Sequence, residues 1–203
     1  MYVGQVVADE KLSDHPALLP PDDPEAEKFL SRTTHVMVAT DLFEQANSDW
    51  RLANELRLIL LMIAAEALLS DDERRGVRER LAQRLSTLTS KSSGDQRETY
   101  ELTREVYRTR SDIVHGAAYR REWRRRTQDG VLINYGFNEI SANALTRFND
   151  LVRQSLQCVI ALGGSKEELL ARLDRAASLR HEIVRLQREV SEYWGRPPRP
   201  NDR

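Results

Sequence analysis

The run Tyr107-Arg108-Thr109-Arg110-Ser111-Asp112-Ile113-Val114-His115-Gly116 gathers side chains that could do chemistry together. At roughly 100° per residue, Arg104, Arg108, Ser111 and His115 fall on one face of a helix. His115 occupies the last turn. There the helix dipole favours imidazolium while neighbouring arginines oppose it, so the ring could titrate near neutral pH. Guanidinium is the side chain best shaped to grip a phosphate by two parallel hydrogen bonds. An arginine and a histidine suffice for one reaction without a metal. A base takes the proton of an RNA 2′-hydroxyl, which attacks the adjacent phosphate, and a cation stabilises the phosphorane; DNA lacks that nucleophile.

The segment Arg110-Ser-Asp-Ile-Val-His115-Gly resembles the R-x4-6-H motif of HEPN domains, in the RSxIVHG form of their Apea-like branch. The upstream run Leu58-Ile-Leu-Leu-Met-Ile-Ala-Ala-Glu-Ala-Leu-Leu69 is similar to the apolar helix of that branch. The resemblance covers roughly residues 51 to 163 and implies an α-helical bundle pairing as a two-fold homodimer. It also implies a metal-independent endoribonuclease that needs no cofactor and acts in prokaryotic antiphage defence or a toxin-like role, with a regulatory protein partner conceivable. By position, Arg110 and His115 would be the catalytic pair and Ser111 the supporting hydroxyl. The family's extended form places Tyr two residues after the His, where this chain has Ala117.

The bare spacing recurs. Arg108 precedes His115 by seven positions, and Arg175 precedes His181 by six. On an ideal helix Arg108 lies within about 20° of His115 but Arg110 lies about 140° away, so Arg110 must reach round with its long stem. A structural alternative stays open, in which Arg110 pairs with Asp112 or a neighbouring helix and His115 caps a helix end. At the level of function the alternatives are a non-catalytic HEPN fold that binds RNA or a partner protein, and a purely structural helical dimer.

The motif helix can be framed. Asp95 with Glu98 forms a carboxylate capping box, Gly116 suits C′, and Thr99, Leu102, Val106, Thr109 and Ile113 make one buried stripe. Around it, a chain of 203 residues with 31% charged and 6% aromatic residues suits an all-α protein with a real core. The net charge of −1 argues against a general coat for polyanions. Locally, residues 108 to 126 hold seven arginines against two carboxylates. Of these, Arg108, Arg120, Arg121 and Arg124 would bind RNA backbone, with bases stacking on Trp123 or Tyr119. A solvated segment with Trp123 tucked onto the bundle is the bland alternative.

A lone cysteine, Cys158, reads as a buried thiol and suits a cytoplasmic setting. No secretory signal or bilayer-length apolar run is present, and no zinc-type spacing or phosphate loop appears. Residues 1–22 read as a strand and loop segment. Tyr2–Val7 and Val131–Asn134 are strand formers that could pair as a small hairpin. Residues 23–163 read as the bundle, with Pro24 behind an Asp23 cap opening a helix to about Ala46. His35 in that helix reads as an interface residue bonded to a partner. Asn47 to Asp49 would cap a central buried helix over 50–69, and Ser70 with Glu73 would open a polar third helix to about Thr87. Glu66, inside the apolar run, needs a partner or a raised pKa; it could bond a structural cation or orient a site arginine. A helix over 141–162 shows Leu145, Phe148, Val152, Leu156 and Val159 on one face. Ser165 and Glu168 would cap a long C-terminal helix over 165–195, with a seam of Ala176, Leu179, Ile183, Leu186, Val190 and Tyr193 packing on the bundle or strapping a dimer. Residues 196–203 read as a disordered tail.

Overall fold

The computed structural model describes residues 24–115 and 142–195, apart from 50, 72, 74 and 91. The candidate hairpin, the 116–126 segment, the tail and the Asp23 and Gly116 caps lie outside the described residues. Among the described residues the chain is all-α: α1 (Pro24–Ser48), α2 (Asn54–Leu69), α3 (Val77–Thr89), α4 (Ser93–Val114), α5 (Ala142–Leu162), α6 (Lys166–Ser178) and α7 (Arg180–Gly195).

α2 is the central rod, as its nearly all-round apolar sequence requires. Leu58, Leu61, Met62, Leu68 and Leu69 have no exposed surface, and α2 contacts every helix from α1 to α6. Burying each such leucine contributes about 1.5–3 kcal/mol. From α5, Phe148, Val152 and Leu156 close the opposite side at 0% exposure. The α4 stripe is buried as its spacing predicts, with Thr99, Leu102, Val106 and Thr109 all below a tenth exposed and Ile113 packed on the core. No helix among the described residues is long and apolar enough to cross a membrane.

Several helix starts differ from the sequence expectation, with the expected caps found in other bonds or at other positions. Asp49 does not cap α2. Its carboxylate accepts the Arg51 N–H at 2.8 Å in a tight turn, and α2 begins at Asn54 with no side-chain cap. Ser70 is the C-cap of α2 rather than the N-cap of α3. α3 starts at Val77 after Gly76, which takes the left-handed φ of 68°. Between them, Asp71 and Glu73 pair with arginines of α3, and Asp71 also accepts the Glu73 N–H at 3.2 Å. Arg84, only 3% exposed, donates to Asp71 at 2.8 Å, to both carboxylate oxygens of Asp174 on α6 at 2.7 Å, and to the Leu69 carbonyl at 2.9 Å. Arg80 adds a second bond to Asp71 at 2.8 Å. Burial opposes the Asp71 charge, but these bonds outweigh it and hold its carboxyl below the usual range. α3 is also less polar in place than in sequence, because Arg84, Ser86 and Thr87 are buried with its leucines. In α4 the N-cap is Ser92, whose hydroxyl accepts the Asp95 N–H at 3.2 Å, so Asp95 is the third helical residue and not the cap.

The Ser165 and Glu168 capping box forms in full, after Gly163 and Gly164 at φ 59° and 87°. The long C-terminal helix does not. Leu179 goes extended (φ −134°, ψ 101°) and divides it into α6 and α7. α6 lies along α3, tied by Arg84 to Asp174, whereas α7 packs mainly on α5 and α6. A single straight rod could not follow both surfaces. Of the expected seam, Ala176 and Leu186 are buried, but Leu179 and Tyr193 are exposed. An Arg172–Glu189 pair at 2.6 Å staples α6 to α7 across the break.

Candidate functional site

The buried stripe fixes the rotation of α4 and so sets which side chains its C-terminal end presents. His115 is the C-cap. Its N–H bonds the Ser111 carbonyl at 3.0 Å, and the residue is exposed. One to two turns back, Tyr107, Arg108, Ser111 and Asp112 line a groove of about 330 Å³ against Gly76, Val77, Arg78 and Glu79 at the start of α3. Arg108 is exposed, while Ser111, Asp112 and Tyr107 are half-buried. Across the groove, the Arg78 guanidinium donates to Glu79 at 2.6 and 2.8 Å. Hydrogen bonds from Arg78, against a smaller opposing effect of burial, hold the Glu79 carboxyl below its usual range.

Arg110 points elsewhere. It is turned toward α2, where its guanidinium lies 3.9 Å from the Glu66 carboxylate, each side chain about a quarter exposed. Its Nε is buried with no hydrogen-bond partner. Burial pushes the Glu66 carboxyl up and the Arg110 charge pulls it back. Glu66 therefore has both a partner and an upward shift, as its place in an apolar run requires. Tyr107, next to this pair, is pushed up by burial and then by the Glu66 charge. The pairing of Arg110 with a neighbouring helix matches the structural alternative for that residue. The groove therefore brings Arg108 and Ser111 together, and Arg110 is not among its lining residues. Arg120, Arg121 and Arg124, with Trp123 and Tyr119, lie outside the described residues.

The other histidine match dissolves. Arg175 sits on α6 and His181 on α7, with the Leu179 break between them, and His181 is exposed beside Glu182 at 3.6 Å. His35 on α1 is buried, and its Nδ1 has no hydrogen-bond partner among the described residues. Burial pushes its imidazole below the usual value, Lys166 adds to that and Glu167 opposes it. The Cys158 thiol is half-buried, donates to the Leu88 carbonyl at 3.8 Å, and is pushed up by burial to about 11. Among the described residues, no group of three or more His, Cys, Asp and Glu side chains could hold a metal ion.

Arg78, Glu79 and Gly76 were not visible as site residues in the sequence. With the third helix expected to open at Ser70, Arg78 and Glu79 would lie in its middle. Only the late start of α3 brings its first turn beside Arg108. Comparison with family models, with curated proteins and with solved structures gives no match for this chain.

Proposed function

We propose that the chain is a metal-independent endoribonuclease of the HEPN type, built as a homodimer with a composite site. The observation that carries this reading is the end of α4. An exposed histidine at the end of the RSDIVH sequence caps the helix one turn beyond Ser111 and two beyond Arg108, which open on a groove. His115 acts as general base or acid. As base it takes the 2′-hydroxyl proton while the 2′-oxygen bonds phosphorus; the P–O5′ bond then breaks, and the leaving oxygen takes a proton from the acid. The products are a 2′,3′-cyclic phosphate and a 5′-hydroxyl. Arg110 holds and neutralises the phosphorane by reaching round with its long stem, and Glu66, 3.9 Å away, orients its guanidinium. Ser111 bonds the phosphate or orients His115. Arg108, Arg120, Arg121 and Arg124 track the RNA backbone. A two-fold axis would let one protomer's His115 act as base and its partner's as acid. The setting that fits is the cytoplasm of a prokaryote, in phage-triggered RNA decay or a toxin-like role, restrained by a regulatory protein.

One observation favours a second reading, a non-catalytic HEPN module that binds RNA or protein: Arg110 is held by Glu66 on the scaffold. Incubation of purified protein with RNA in EDTA separates the two. The nuclease reading expects cleavage that His115→Ala reduces at least 100-fold, in line with the loss of a general acid–base group, with the helical circular dichroism unchanged. RNA binding without cleavage, indifferent to that substitution, favours the module.

A further inference from the structure

We infer that the groove between the first turn of α3 and the end of α4 is a subsite for one nucleotide of single-stranded RNA, its phosphate held by Arg108 and Ser111. The inference rests on the RNA-directed reading above, and goes beyond it by naming a second wall, Arg78 and Glu79, and a distinct place for the strand.

Size comes first. About 330 Å³ is the small end of the range for ligand clefts, roughly 300–1,000 Å³, which suits a single nucleotide and excludes a duplex. Charge comes next. Arg78 is already answered by Glu79 at 2.6 Å, whereas no ion pair or hydrogen bond of the Arg108 side chain is formed among the described residues. The lining balances Arg78 and Arg108 against Glu79 and Asp112, and within it the exposed Arg108 guanidinium and the Ser111 hydroxyl sit three residues apart on one helical face. A guanidinium fork beside a hydroxyl is a phosphate-gripping set. Place comes last. Ser111 and Arg108 lie about 6 and 10.5 Å along the axis from the cap residue His115, so the nucleotide next to the reacting one falls naturally into the groove.

The pairing of Arg78 with Glu79 sets the sign of a second effect. Glu79 occupies Arg78 and puts a negative charge beside the incoming phosphate. Glu79→Gln should release Arg78 and strengthen RNA binding, whereas a groove irrelevant to RNA would not respond.

The test is fluorescence anisotropy of a labelled six-nucleotide RNA, 2′-O-methylated so that it cannot be cleaved, titrated with the full chain at several salt concentrations. Arg108→Ala should weaken binding about tenfold and lower the salt slope by about 0.7, the value for one phosphate contact on a single strand. Glu79→Gln should tighten binding about threefold. Arg175→Ala, exposed on α6, should change nothing and controls for lost charge. The inference is overturned if the oligomer does not bind, if Arg108→Ala stays within twofold of the unaltered protein, or if it loses no more than Arg175→Ala. Cleavage of unmodified RNA is read in parallel. Cleavage that depends on His115, with binding indifferent to Arg108, sinks the subsite and leaves the nuclease standing. Binding that depends on Arg108 with no cleavage does the reverse.

Discussion

Arg84 is the residue on which the position of α3 turns, and Arg84→Ala measures how much. Its guanidinium, almost wholly buried, makes four hydrogen bonds of 2.7–2.9 Å to Asp71, Asp174 and the Leu69 carbonyl. Removing one partner from a buried ion pair costs about 3–5 kcal/mol. The carboxylates left behind are not sealed, since the Asp71 and Asp174 side chains are 25% and 51% exposed, so water recovers part of their loss. The Leu69 carbonyl and the lost stem contacts add back about 1–2 kcal/mol. The net expectation is about 3 kcal/mol, which for a chain of this size lowers the Tm by roughly 6–12 °C. Urea unfolding followed by helical circular dichroism reads it as a lower midpoint at unchanged slope. Arg84→Lys keeps the charge but cannot bridge both carboxylates and the carbonyl, and should fall between the two. A loss below about 1 kcal/mol, the scale of a surface pair, would refute the reasoning. The 70–76 link would then hold its place without this network.

Two other groups make independent tests. The Cys158 thiol, pushed up to about 11, should react with a disulfide reagent at pH 8 far more slowly in the folded protein than in urea. Equal rates would contradict the burial described. His35 has a folded pKa below its unfolded value, so the folded state disfavours the proton. Its contribution is present above the unfolded value of about 6.5 and falls as pH drops from there toward the folded pKa, by at most about 1.4 kcal/mol per pH unit. The difference in stability between the unaltered protein and His35→Leu should therefore shift against the former between pH 7.5 and 5; a difference independent of pH would refute it.

Periodicity made the long packed faces legible. The stripes of α2, α4 and α5 follow from apolar spacing alone, because a buried face leaves a pattern in every turn. The Ser165 and Glu168 box was equally plain, since both halves of it are local. The starts of α2, α3 and α4 were not: Asp49 takes the Arg51 N–H in a turn, Ser92 is the cap of α4, and at α3 the acidic residue meets donors that arrive from elsewhere. Asp71 faces arginines nine and thirteen residues away, and no window of capping length contains them. The Leu179 break has no Gly or Pro to announce it; it follows from the two surfaces that α6 and α7 must cover. At the candidate site, helical angles already separated Arg108 from Arg110, and Arg110 does face Glu66 while Arg108 lines the groove. The Arg78 and Glu79 wall depends on how α3 docks on α4, which is a tertiary fact.

α4 divides its labour lengthwise as well as around its circumference. Thr99, Leu102 and Val106 are immobilised in the interior, while Arg108 and His115 stand on the rim with little surface invested in the scaffold. Substitution at those two rim positions is therefore nearly uncoupled from folding, and evolution can rewrite or erase whatever chemistry they perform at small thermodynamic penalty. Descendants of this chain could keep the same architecture while differing wholly in what the tip of that helix does.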